Sequence, residues 1–378
     1  MKILIGADIV PTQSNQDYFL KGDINNLADS FIIKQLNNAD YRIFNLEVPL
    51  TDEFTPIEKC GPCLRAPSGC INGIKALGAD FVTLANNHIM DQGVRGLTST
   101  INLLKRNQIA FSGVGNNLEE ARRPHIIDDG TKTIGVYCCA EHEFSIASEN
   151  SAGANPFDPL YSPDSISELK QKCDYVIVLY HGGKESYRYP SPELQKTCRR
   201  IAEKGADVVI CQHSHCIGCS EKWAGATIVY GQGNFLFDRD YNEGWNTGMM
   251  ILLDSEKPDF DITFIPIYKE NGKIRKTTTE ESEAVMSAFL LRGEKISSAR
   301  FVQEQYSEYA KNNSKMYYNR ISGKPGRNFF VKALNKLTGS DLKKFYQKKD
   351  LLNILNILEC EAHRELFSES LRSEIKRK

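Results

Sequence analysis

Polar residues able to bind metals or move protons stand where apolar runs stop. The run Phe81-Val82-Thr83-Leu84 leads directly into Ala85-Asn86-Asn87-His88-Ile89-Met90-Asp91-Gln92-Gly93. Asn87 can offer a neutral oxygen to a metal, and His88 can exchange a proton near neutral pH. The same kind of stop recurs along the chain. Lys2 to Ala7 ends on Asp8, Tyr41 to Leu46 on Glu47, Tyr175 to Tyr180 on His181-Gly182-Gly183, and Ala206 to Cys211 on Gln212-His213-Ser214-His215. Carboxylates, imidazoles and one amide together suit divalent cations of the Mn, Fe or Zn kind, one or two in number. Glu47 could bridge two ions roughly 3.5–4 Å apart and so generate a nucleophilic water. His213 and His215 would face opposite ways on an extended strand, so both can serve one site only if the backbone turns there or if one of them acts from outside the ligand shell. Each residue alone has a simpler reading: a turn or helix cap at Asn87, a turn at Asp8, a solvated loop at Glu47, a packed imidazole at His181. His125, His142 and His363 are left with that simpler reading.

The elements that must position these residues alternate. Strands are expected over 2–7, 41–46, 81–84, 109–111, 126–127, 133–139, 173–180, 206–211, 227–230, 249–253 and 260–268, from apolar, β-branched runs bounded by turn residues. Helices are expected over 26–37, 70–77, 96–106 and 165–172, and from Ser191-Pro192-Glu193 to Lys204, where a capping hydroxyl and an N-terminal proline mark the start. Residues 150–163 read as a surface loop. Alternation to residue 268 argues a layered α/β domain, and polar strand ends are where such sheets bind ligands. From Lys269 to Lys378 the chain reads as a charged helical extension. It carries an apolar stripe between Leu342 and Leu366 that needs a surface to cover it, the domain flank or a second copy.

The chain has 378 residues, 41% hydrophobic and 25% charged, with 47 basic and 48 acidic side chains. That balance gives no general attraction to nucleic acid or anionic membrane. No apolar run reaches the ~18 residues of a membrane span, and the N-terminal apolar run stops at Asp8, so a cytoplasmic, unanchored protein is expected. Eleven cysteines do not form a secreted disulfide pattern. Cys60-Gly-Pro-Cys63 and Cys216-Ile-Gly-Cys219 could share a zinc ion, but free thiols are the expected state. G-x-G-x-x-G, P-loop and G-x-S-x-G sequences do not occur.

Asp8, Asn45-Leu46-Glu47, Leu64-Arg65-Ala66-Pro67, Ala85-Asn86-Asn87-His88-x-x-Asp91-x-Gly93, His181-Gly-Gly-x-Glu185, His213-Ser-His215 and Gly231-Gln-Gly-Asn234-Phe235 occur in that order. This series resembles the bacterial CapA proteins of capsule and poly-γ-glutamate synthesis, a branch of the calcineurin-like metallophosphatases, over roughly residues 1–268. The resemblance implies a four-layer α/β/β/α sandwich. It also implies metal ligands at Asp8, Glu47, Asn87, His181, His213 and His215, with His88 as proton donor or transition-state stabiliser. Three positions depart from the superfamily pattern. Val10 stands where a ligating His is usual, Glu47 replaces a bridging Asp, and Gln212 replaces a Gly.

The expected activity is metal-dependent hydrolysis of a phosphoester in capsule or cell-surface polymer metabolism. Two alternatives are a non-catalytic member of a polymer-synthesis complex and metal-dependent chemistry at a γ-glutamyl amide. Arg65 is a candidate for holding an anionic substrate, small molecule or polymer. Asp91, Glu185, Asn234 and Asp238 are candidates for orienting the ligands. Capsule-synthesis proteins, or a second copy through the C-terminal helices, are the expected partners.

Overall fold

The computed structural model describes residues 1–237, 243–256, 260–321 and 346–377. The chain begins with β1 (Lys2–Ile9), α1 (Gln16–Lys21), α2 (Ile24–Leu27), α3 (Ser30–Asn38), β2 (Tyr41–Leu46), α4 (Ile71–Ala76), β3 (Phe81–Thr83), α5 (Gly93–Arg106) and β4 (Ala110–Ser112). It continues through β5 (Val114–Gly115), α6 (Leu118–Ala121), β6 (His125–Asp128), β7 (Thr133–Ala140), β8 (Gly153–Ala154), α7 (Ser162–Lys170), β9 (Tyr175–His181), α8 (Pro192–Glu203), β10 (Val208–Gln212), β11 (Ile217–Trp223) and β12 (Ala226–Gln232). Then come β13 (Asn234–Leu236), α9 (Glu243–Asn246), β14 (Thr247–Asp254), β15 (Asp261–Glu270), β16 (Lys273–Lys276), α10 (Thr279–Lys295) and α11 (Ala299–Ile321). Two more helices, α12 (Lys348–Glu359) and α13 (Glu361–Arg377), follow.

An eight-stranded sheet runs β16-β15-β14-β1-β2-β3-β4 with β13 also paired to β1, and a six-stranded sheet runs β11-β12-β10-β9-β7-β6. Three apolar clusters show how they stack. Ile3, Ile5, Ile43 and Phe81 of the first sheet meet Val136, Ile177, Leu179 and Ile210 of the second. The outer face of the first sheet (Leu4, Phe44, Val82) packs on Phe19, Ile32, Ile74 and Leu97 of the helices. The outer face of the second (Tyr137, Val178, Val209) packs on Ile166, Cys198 and Ile201. Alternate residues of β1 and β2 thus serve opposite layers, as the strand period requires, and the result is an α/β/β/α sandwich.

Strands β1 to β4 are mutually parallel, as are β7, β9, β10 and β12. Their carboxyl ends therefore gather at one edge of each sheet. Gln212 ties the two sheets there: its Nε2 donates to the Gly6 carbonyl at 3.4 Å and to Gln232 Oε1 at 3.2 Å. Gln232 Nε2 in turn donates to Ile5 and Met249 carbonyls. The glutamine that replaces glycine is thus a cross-sheet brace.

The helix expected over 26–37 is two helices, because Asp23 and Asp29 each cap a separate N-terminus through Asn26 N and Ile32 N. The segment expected to begin the extension at 269 instead contributes β16, paired to β15, and α10, whose Thr278–Glu281 capping box fixes its start. Phe289 and Ile296 are fully buried there, so the first compact unit runs to Gln303 and a second spans Glu304–Lys378. In that second unit Leu352, Leu355, Leu358 and Leu366 are exposed. Part of the expected stripe, between residues 342 and 345, lies outside the described residues. Among the described residues, no helix is long and apolar enough to cross a membrane.

Candidate metal centre

The ligand candidates come together at the strand ends of both sheets. Asp8 lies in β1 where the pairing with β2 shifts register between Ile5 and Asp8, and it stands opposite Asn45 and Asn234. Asn45 Nδ2 donates to Asp8 Oδ1 at 2.8 Å, and Asn86 Nδ2 donates to Asn45 Oδ1 at 3.1 Å. The Asn45-x-Glu47 and Asn86-Asn87 spacings thus supply both ligand candidates and their braces. Gly233, at φ 74°, turns the chain where a Cβ would meet the Thr247 carbonyl at 2.8 Å. That close turn lets Asn234 lie beside Asp8. His213 and His215 have φ of 90° and 52°. This left-handed backbone, unusual for a side-chain-bearing residue, is the turn that brings both rings to one site.

His181 Nε2 lies 3.0 Å from Asn87 Oδ1, 3.1 Å from His213 Nδ1 and 3.5 Å from Glu47 Oε1. Donors bound to one ion at about 2.0–2.2 Å stand about 3–3.6 Å apart. The three distances from His181 Nε2 match that spacing. On the other side of Glu47, His215 Nδ1 lies 3.5 Å from Asp8 Oδ2 and donates to Asn234 Oδ1 at 2.9 Å. Donor atoms of Glu47, His181 and His213 fall within 4.8 Å of one another, and so do those of Asp8, Glu47 and His215. Glu47 belongs to both groups.

The electrostatics of these groups call for a cation. Glu47 is completely buried and neither carboxylate oxygen has a hydrogen-bond partner. A bare buried carboxylate is costly, and burial, with Asp8 adding to it, pushes Glu47 up to about 8. Burial pulls His181 down to about 3 and His213 well below the usual imidazole value. Burial also opposes the charge on His215, but Glu47 and Asp8 outweigh it and hold this ring at about 9. Burial raises Asp8 too, yet the hydrogen bond from His215 and the charges around it leave it lowered. Protons thus sit where positive charge is needed, and the orphaned Glu47 oxygens between two donor groups fit divalent cations. Asp8, Glu47 and His215 would hold one, and Glu47, Asn87, His181 and His213 the other. Val10 is buried in the apolar cluster with Phe237 and Trp245 and offers no donor.

His88 is only partly buried, and its Nδ1 donates to Asp91 Oδ2 at 2.6 Å, leaving Nε2 free of that bond. Asp91 is fully buried, accepts the Leu64 N–H at 2.6 Å and pairs with the buried ammonium of Lys59. Asp91 thus contacts His88, and Asn234 contacts His215. Arg65 does not reach the ligands through its described contacts: it is exposed, donates to the Asp52 carbonyl at 2.9 Å and lies over Phe54. Glu185 is exposed but near enough to His213 to act on its charge. Asp238 lies outside the described residues.

Sequence reading missed Lys59, Glu141 and Glu143. Glu141 follows β7 directly, so the strand-end signal that marked the other carboxylates was present there too. All eleven cysteines are free thiols, with Cys60 exposed and Cys216 and Cys219 buried. Among the described residues no cysteine joins a metal-type cluster.

The donors thus lie along the strand ends of a two-sheet α/β/β/α sandwich. The chain belongs to the bacterial capsule synthesis protein family PGA_cap, whose model matches residues 2–239. It is similar to the PGA biosynthesis protein CapA of Bacillus subtilis (strain 168), 28% identical over 239 residues, covering 61% of this chain and 62% of that one. It is also similar to the capsule biosynthesis protein CapA of Bacillus anthracis, 26% identical over 257 residues, covering 65% and 62%. The chain thus spans about three fifths of these curated relatives. Among solved structures, it aligns with a novel phosphatase from Mycoplasma pneumoniae at TM-score 0.45 and 14% identity, covering 71% of this chain and 94% of that one. A putative 5'-nucleotidase from Staphylococcus aureus aligns at TM-score 0.44 and 15% identity, covering 76% and 57%.

Proposed function

We propose that this protein is a divalent-metal-dependent hydrolase of phosphoester type acting in capsule or poly-γ-glutamate metabolism. The observation that carries the reading is Glu47, buried, without hydrogen-bond partners and shared between two donor groups. Bound ions would polarise a phosphoryl oxygen and lower the pKa of a coordinated water. The protein's own part is to fix that chemistry in place. Asn45 and Asn86 hold Asp8 and the Glu47 turn, and Asn234 holds His215. Asp91 keeps the His88 proton on Nδ1 and the ring oriented, while Lys59 offsets the Asp91 charge. His88 Nε2, once protonated, would deliver a proton to a leaving oxygen.

The test is turnover of p-nitrophenyl phosphate and bis-p-nitrophenyl phosphate by protein of known metal content. Metal-dependent hydrolysis of either supports the reading. Bound metal with no turnover of either would replace it with chemistry at a γ-glutamyl amide or a non-catalytic role in a synthesis complex. The amide alternative is favoured by the family's poly-glutamate context, since the same metal-activated water can attack a carbonyl.

A further inference from the structure

The residues after β7 form a second layer around one of the two proposed cation positions. Ala140 pairs with His181 in the sheet, and the Glu141 N–H donates to the His181 carbonyl at 3.0 Å. Glu141 and Glu143 therefore emerge beside the ligands of β9. Glu141 Oε2 accepts the Gly183 N–H at 3.0 Å, and Oε1 lies 3.6 Å from His213 Nε2. Glu143 Oε2 accepts from Asn87 Nδ2 at 3.1 Å. Donor atoms of Glu141, Glu143 and His213 lie within 4.8 Å of one another.

A carboxylate can only accept. Glu143 therefore selects the nitrogen end of the Asn87 amide, which turns the oxygen end toward His181 Nε2 at 3.0 Å. Glu141 beside His213 Nε2 favours the proton on that nitrogen and leaves the Nδ1 lone pair facing His181 Nε2 at 3.1 Å. Around His215 the neighbours are different. Trp245 stacks on the ring at 4.4 Å and Phe237 meets it edge-on at 5.2 Å; its shorter polar contact is the neutral amide of Asn234 at 2.9 Å, with Asp8 Oδ2 at 3.5 Å.

Building on the metal-dependent reading above, we infer that Glu141 and Glu143 are positioning residues. They orient His213 and Asn87 toward the ion and make the position bounded by Glu47, Asn87, His181 and His213 the tighter of the two. Outer partners of this kind alter metal affinity by about 10–100-fold.

The experiment is calorimetric titration of the full chain with Mn²⁺. Glu143→Leu is expected to weaken the tight step by about 10–100-fold. Glu143→Gln keeps an amide oxygen that accepts the Asn87 N–H and is expected to recover most of that loss. Glu143 is exposed, so both variants should melt like the wild type without metal, which checks the fold. An unchanged tight step in Glu143→Leu overturns the inference. So does a Glu143→Gln variant as weak as Glu143→Leu, because the carboxylate would then act as a ligand or by its charge alone. His181→Ala separates the two levels of the argument. If it abolishes Mn²⁺ binding while Glu143→Leu leaves it intact, the inference falls and the metal reading stands. If the wild type binds no Mn²⁺ at all, both fall.

Discussion

The two proposed cation positions share Glu47 and little else. One is built from His181, His213 and Asn87, with the carboxylates of Glu141 and Glu143 outside them. The other is built from Asp8 and His215, with Trp245 and Phe237 outside and Val10 where a third side-chain donor is usual. The contrast teaches that a buried carboxylate bridging two donor groups does not make them equivalent. On the reading proposed above, what surrounds each group would set how strongly it holds a cation.

The sharpest way to break this comparison is at the crowded position. His181→Ala should remove most bound metal while the fold persists, since the variant also relieves a buried imidazole from its like neighbours. Metal content after gel filtration, read by mass spectrometry, checks this, and unchanged content would refute the assignment. His88→Ala should keep the metal and lower phosphoester turnover by about 10²–10⁴-fold, the usual contribution of a positioned acid. Metal loss in that variant would make His88 a ligand instead. Val10→His should strengthen the weaker step of a Mn²⁺ titration by about tenfold, the lower end of what one well-placed group contributes. A change confined to the tighter step would reverse the assignment of the two positions.

A smaller effect follows from pH. Glu47 is pushed up to about 8 and His215 to about 9 in the fold, against unfolded values of about 4.3 and 6.5. Both pKa values are raised, so from about pH 6.5 upward the metal-free fold holds protons that the unfolded chain has released. Its stability therefore falls as pH rises to about 8–9. His181 and His213 are held neutral in the fold by burial, and their unfolded counterparts have lost most of their protons above about pH 7.5, so they add little in the upper part of that window. A bound cation replaces those protons. The gap in melting temperature between Mn²⁺-loaded and chelator-treated protein should therefore widen from about pH 6.5 to about pH 8.5. A gap that narrows would contradict the charge balance described for Glu47 and His215.

Much of this centre was legible before the structure because each ligand candidate follows an apolar run. Asp8 and His181 lie at the carboxyl ends of β1 and β9, and Glu47 and His213 directly follow β2 and β10. The requirement for a turn at His213-Ser214-His215 was also readable, and positive φ at both histidines meets it. Lys59 was not legible, since its pairing with Asp91 joins a proline-bracketed loop to a strand end 32 residues away. Strand β11 was hidden because Gly218, Ser220, Glu221 and Lys222 interrupt its apolar pattern, and only pairing with β12 defines it. The start of the helical extension was misplaced for a related reason. The charged segment of β16 reads as part of that extension, yet it pairs with β15, and Phe289 of the helix α10 that follows joins the core between the sheets.

The most direct measurement is thermal unfolding of wild type and Glu47→Gln, each with and without Mn²⁺. The glutamine removes a buried carboxylate whose oxygens have no hydrogen-bond partners. The metal-free variant should therefore melt at or above the wild-type temperature, and added Mn²⁺ should stabilise the wild type alone. A variant that melts lower without metal and still responds to Mn²⁺ like the wild type would show that Glu47 serves the fold and not the cations.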